Sequence, residues 1–118
     1  MADNIYPTHW IRAVLPLAVL RVLADGESYG YDISARLAQA GFGDIKGGTL
    51  YPLLGRLEKD GLVTTRWTPG ESGPGRKYYT LSPAGRDHLT AHIADWTRFS
   101  QTVGVHFADS KGDSHDQA

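Results

Sequence analysis

Apolar positions along the chain switch period several times, and each switch predicts an element. Leu50, Leu53, Leu54 and Leu57 recur at i, i+3, i+4, i+7, one apolar stripe of a helix. Pro52, Gly55, Arg56 and Lys59 fall on the opposite side, flanked by Thr49 and Tyr51. That outer face is small or basic, so it can come close to an anionic surface. Gly47 and Gly48 open the segment, Pro52 sits in its first turn, and Gly61 closes it. The period then changes to that of strands. Residues 63–67 (VTTRW) and 78–81 (YYTL) are β-branched and aromatic, with the turn-rich 68–75 between them. Arg76 and Lys77 lead the second strand, so the hairpin carries a basic pair near its tip. A helix with a small, basic outer face followed by a basic hairpin has the layout of a winged helix-turn-helix. In that layout the helix enters a major groove and the hairpin holds the backbone beside it.

The rest of the chain frames this unit. Residues 1–8 are polar and read as a loose arm. A first helix runs from about His9 to Ala24, with a kink or a later start possible at Pro16. It is apolar on nearly every side, from Trp10 and Val14 to Leu23, so a second subunit is expected to cover what one small domain leaves bare. Ser28 suits the N-cap of a second helix from Tyr29 to about Ala40, with Gly41 beyond its end and Ile33, Leu37 and Ala40 inward. Residues 41–46 look like a loop with Ile45 buried. Ser82-Pro83 starts a last helix that reaches about Phe107. Along it Leu89, Ile93, Trp96, Ser100, Val103 and Phe107 keep a 4-3-4-3-4 spacing, a short heptad seam. The winged core is expected to close by Leu81, so this seam needs another surface and predicts a dimer arm. Residues 108–118 form a polar tail. The fold class is therefore mostly α with a small β-hairpin (α+β). A winged domain spans 9–82 and a dimerisation helix 83–107.

Composition changes little of this. The chain of 118 residues carries 41% apolar and 21% charged residues and suits one domain with one core. It has no cysteine, which excludes disulfides and thiol-based metal sites and fits a reducing cytoplasm. The net charge is −1, but it is uneven. Residues 44–80 hold six basic against four acidic residues, and the remainder six against nine. Local potential at a docking face matters more than the total. Trp10–Leu23 is apolar but short for a membrane span, and it contains Arg12, Pro16 and Arg21. No phosphate-cradling loop, nucleophile elbow or triad spacing is present, so an enzyme is not expected and no cofactor is implied.

The stretches 48–63 (GTLYPLLGRLEKDGLV), 75–85 (GRKYYTLSPAG) and 29–33 (YGYDI) resemble the PadR family of bacterial transcriptional regulators, named for control of phenolic acid metabolism. The resemblance covers roughly residues 10–107. The single C-terminal helix is similar to that of the short subfamily, which includes multidrug-sensing repressors. It implies a homodimer of winged domains, joined through the first and last helices, that represses a neighbouring gene and is released by a ligand.

Candidate sites follow from both lines. Double-stranded DNA, as a pseudo-palindromic operator, is expected to meet Lys46, Thr49, Tyr51, Arg56, Lys59, Arg76 and Lys77. Trp10, Val14, Leu89, Ile93, Trp96, Val103 and Phe107 are the expected dimer interface. Trp96 is oversized for a heptad seam and Ser100 is undersized, which leaves a gap where a flat apolar molecule can stack. Phe99, His92 and Asp95 would line its rim, and Asp95 would favour a cationic ligand. The resemblance adds that a Trp in the matching stretch of multidrug-sensing members stacks ligands. Equally, Trp96 can be a plain interface anchor. His88 and His92 at i, i+4, with Asp95, offer a metal-responsive alternative, against a merely solvated polar face. A winged helix used only for protein contacts is the remaining alternative.

Overall fold

The computed structural model describes residues 5–70 and 73–109. Residues 1–4 of the expected arm and 110–118 of the expected tail lie outside them. Helix α1 spans Thr8–Ala24 and runs through Pro16 without a break. Strand β1 is Ser28–Tyr29, and helix α2 follows as Gly30–Leu37. A wider π-type turn over Ala38–Phe42 extends α2 and contains Gly41 at φ 102°. Helix α3 is Gly47–Lys59, strands β2 and β3 are Val63–Thr68 and Arg76–Leu81, and helix α4 is Pro83–Asp109. The sheet is antiparallel in the order β1-β3-β2.

Two local readings need correction. Ser28 is not an N-cap. Its backbone is committed to the ladder opposite Tyr79, so the chain stays extended through Tyr29, and its hydroxyl donates to Asp32 at 2.6 Å. Ala40 is exposed, because the wider turn rotates it off the inner face of α2.

The caps elsewhere follow the sequence. At the end of α3, Gly61 takes φ 77°, and N–H groups of Gly61 and Leu62 donate to the carbonyls of Glu58 and Leu57 at 3.0 Å each. This is a Schellman closure, and Gly61 supplies the left-handed residue that it requires. Ser82 caps α4: its Oγ accepts from the Gly85 N–H at 2.9 Å and donates to the Gly61 carbonyl at 2.7 Å. A Cβ on Gly85 would strike the Leu62 carbonyl, so glycine lets α4 start against the end of α3.

The core gathers Leu15, Val19, Leu20 and Leu23 of α1, Ile33 and Leu37 of α2, the four α3 leucines, and Val63, Tyr79 and Leu81 of the sheet. Leu89 of α4 belongs to the same cluster at 5% exposure. The expectation that Leu89 opens an interface seam is therefore corrected: the first turns of α4 pack on their own domain, and the bare seam begins at Ile93. Beyond it, every described side chain of α4 is exposed except a half-buried Val103. The radius of gyration is 17.9 Å, against about 13–14 Å for a compact domain of this length. α4 is roughly 40 Å long, and the part of it from Ile93 onward projects as an arm of about 25 Å. No helix among the described residues is long and apolar enough to cross a membrane.

Candidate nucleic-acid interface

The leucine stripe turns one side of α3 into the core and leaves Tyr51, Pro52, Gly55, Arg56 and Lys59 exposed on the other. Arg56 and Lys59 have no acidic partner among the described residues. Lys46, just before α3, is exposed and pairs with Asp44 at 3.1 Å. Thr49 is half-buried, facing Arg12, Ile11 and Leu15 of α1 across a small cleft.

Strand alternation separates the hairpin's basic pair. Lys77 points to the α3 side of the sheet, where Glu58 accepts from Lys77 Nζ at 3.2 Å and from Thr65 Oγ1 at 2.9 Å. These two bonds, Thr65's first, hold the Glu58 carboxyl below the usual glutamate range. They also tie both wing strands to α3. Arg76 faces the opposite side, 4.2 Å over the Tyr29 ring, and Tyr29 packs edge-on to Tyr78. On that side Arg66 makes a two-bonded pair with Glu27, both bonds at 2.7 Å, which holds the Glu27 carboxyl low. Arg76 and Lys77 are therefore not one cluster: Arg76 rests against the tyrosine rings and has no acidic partner among the described residues, whereas Lys77 is half-buried and ion-paired.

Tyr51 is positioned by a glycine in another element. A Cβ built on Gly30 would lie 2.6 Å from Cε1 and Cζ of Tyr51, so the phenol lies flat over the start of α2 only because residue 30 has no side chain. Sequence reading quoted the motifs holding Gly30 and Tyr51 separately and missed their contact. It also missed Trp67, which is 67% exposed on the α3 side of β2, opposite Lys77 in register.

The expected effector site is only partly assembled. Trp96 and Phe99 line an apolar groove of about 680 Å³ with Trp10, Val14 and Phe42. His92, Asp95 and Ser100 do not line it. His92 stacks on His88 at 3.9 Å, Asp95 is held by Arg98 at 2.6 Å, and the Ser100 hydroxyl turns back to the Thr97 carbonyl. No three histidine or acidic side chains among the described residues come together as metal ligands, so the His88, His92 and Asp95 grouping is not assembled.

The profile of the transcriptional regulator PadR-like family matches residues 19–91. The chain belongs to that family. A transcriptional regulator of Mycobacterium tuberculosis is 39% identical over 67% of this chain and 72% of its own length. The negative transcriptional regulator PadR of Bacillus subtilis is 35% identical over 80% of this chain and 53% of its own length. A PadR family transcriptional regulator from Eggerthella lenta shares 35% identity and superposes with a TM-score of 0.78, covering 84% of this chain and 86% of the other. The part matched by the PadR-like profile ends at Ala91, before the bare stretch of α4. The groove around Trp96 thus lies at the margin of what the PadR-like profile describes, and the α3–wing surface lies inside it.

Proposed function

We propose that this PadR-family chain is a homodimeric repressor. It seats α3 in the major groove of a pseudo-palindromic operator and lets go when a flat apolar or cationic molecule enters the groove beside Trp96. The carrying observation is the outer face of α3: two cations, Arg56 and Lys59, with no acidic partner among the described residues, stand with small residues next to a tethered wing. Cations in this setting favour an anionic partner, and small residues let it approach. The relative named as a negative regulator supports repression over activation. Dimerisation is supported by apolar side chains that one chain leaves bare, among them Trp10, Ile93, Trp96 and Phe99. Release by an effector is supported by the groove's size and its Trp–Phe wall, with ring centroids 5.7 Å apart.

The test is selection of duplexes from a random-sequence library by the purified full chain. Retained sequences should contain inverted half-sites about 10 base pairs apart, or a multiple of that. Affinity for the retained duplex should fall with salt at a log–log slope of roughly −5 to −9. Failure to enrich any duplex would overturn the DNA reading and favour a winged module for protein contacts. Trp96→Ala should keep operator binding yet lose release by planar cationic dyes. An unchanged dye response would remove the effector reading alone.

A further inference from the structure

Between the wing and the start of α2 lies a second groove, of about 480 Å³, whose character differs from that of the one at Trp96. Its floor is the Tyr51 phenol, seated on Gly30. Trp67, Tyr31, Arg76 and Lys77 also line it, and no acidic residue does so among the described residues. Trp67 and Tyr31 are among the most exposed aromatic side chains, at 67% and 78%. The intramolecular explanation of Trp67 is a cross-strand pair with Lys77. That pairing leaves the indole bare, because the Lys77 ammonium is drawn away to Glu58. No aromatic ring or cation stacks on Trp67 among the described residues.

We propose that this groove carries the sugar–phosphate edge of the DNA strand leaving α3, with the Trp67 indole packed flat against deoxyribose in the adjacent minor groove. The inference rests on the DNA-binding reading and deepens it. Charge selects the occupant: a groove lined by the Arg76 guanidinium, with no acidic side chain among its described lining residues, opens beside α3, on the side that α3 is proposed to present to a duplex. The indole adds what cations lack, an apolar face that matches the carbon face of a sugar. Arg76 attracts phosphates at any spacing, whereas a flat side chain fixes how closely the wing approaches. Trp67 would thus set the depth of the wing, and Gly30, by seating Tyr51, the depth of the floor.

Salt dependence separates this contact from an ionic one. Phosphate contacts release counterions and set the log–log slope, whereas an indole on a sugar releases none. Using the duplex retained in the selection, Trp67→Thr, which suits a strand, should weaken binding about tenfold or more with the salt slope unchanged. Trp67→Phe should recover most of the loss. Arg76→Ala, by contrast, should flatten the slope by roughly one unit. Trp67→Thr binding within twofold of wild type would overturn the proposal and leave DNA binding itself intact. A weakened Trp67→Thr with a flattened slope would also overturn it, since Trp67 would then act only by placing the basic residues. If the wild type enriches no duplex at all, the DNA reading falls first. If Trp67→Thr fails to fold by circular dichroism, Trp67→Leu, apolar but not flat, decides instead. Full affinity in that variant overturns stacking, and loss restored only by Phe supports it.

Discussion

Replacing Gly55 by alanine should move stability and DNA affinity in opposite directions. Gly55 lies in the interior of α3 with ordinary helical geometry, and a Cβ built there meets nothing within 4 Å. No packing or turn within the chain requires glycine at this position. Glycine in a helix interior costs about 0.5–1 kcal/mol relative to alanine. Gly55→Ala should therefore stabilise the fold by about that amount, raising the melting temperature by roughly 2–6 °C for a domain of this size. The added methyl stands on the exposed face between Pro52 and Lys59, where the duplex is proposed to seat. Holding the helix off by one methyl sacrifices one charge-assisted hydrogen bond, worth about 1.5–3 kcal/mol, or roughly ten- to a hundredfold in affinity. Calorimetric melting and anisotropy titration against the selected duplex, at equal protein concentration, read the two effects separately. A variant that melts higher and still binds as tightly as wild type would refute the placement of this face against DNA. A variant that melts lower would refute the account of the glycine itself.

Other outcomes follow from the same structure. Leu54 is fully buried, so Leu54→Ala should cost about 2–5 kcal/mol in denaturant unfolding, and a loss under about 1 kcal/mol would contradict its place in the core. Ile93→Asp puts a charge in the bare stretch of α4 and should convert the proposed dimer to monomer in sedimentation. The wild-type melting temperature should rise with concentration, and a wild-type monomer at micromolar concentration would refute the arrangement. The Glu58 carboxyl is held below its ordinary value of 4.5 by Thr65 and then Lys77, and Glu27 likewise by Arg66. Groups lowered in the folded state stabilise it fully above the ordinary value, and that contribution fades as pH falls through the lowered one. The stability gap between wild type and Glu58→Gln should thus be open at neutral pH and close in acid. A gap independent of pH would show that the lost stability is not electrostatic.

Much of the fold was legible because its signals are local. The α3 leucines, Gly61, Ser82-Pro83 and the β-branched runs each declare their element within a few residues, and the caps they imply are formed. What escaped is non-local. Strand β1 is two residues long and exists only because β3 offers it a partner, so Ser28 looked like a cap. Leu89 fits a heptad as well as it fits a core, and only the start of α4 against α3 decides between them. At the candidate interface, the identity of the cations was readable but their facing was not. Adjacent residues in a strand point apart, and that sends Lys77 to Glu58 and Arg76 to Tyr29. The seating of Tyr51 on Gly30 joins two motifs 21 positions apart and leaves no trace in either one alone.

The joint at Ser82 has a mechanical consequence. One hydroxyl grips the end of α3 at Gly61 and the first turn of α4 at Gly85, while the Ser82 N–H donates to Leu62 at 3.1 Å. That makes a fulcrum with a short arm in the winged domain and a long arm in solvent. Trp96 lies about 21 Å along α4 from this pivot, at 1.5 Å per residue. A sideways shift of about 2 Å there, typical of helix displacements at switching interfaces, turns α4 by roughly 5°. The Leu62 carbonyl sits directly under Gly85, with no side chain between them to absorb the turn, so rotation of the long arm bears on the end of α3. A bulkier residue at position 85 would act as a shim in that hinge, resetting the angle between α4 and α3 and, in the proposed dimer, the span between the two α3 helices.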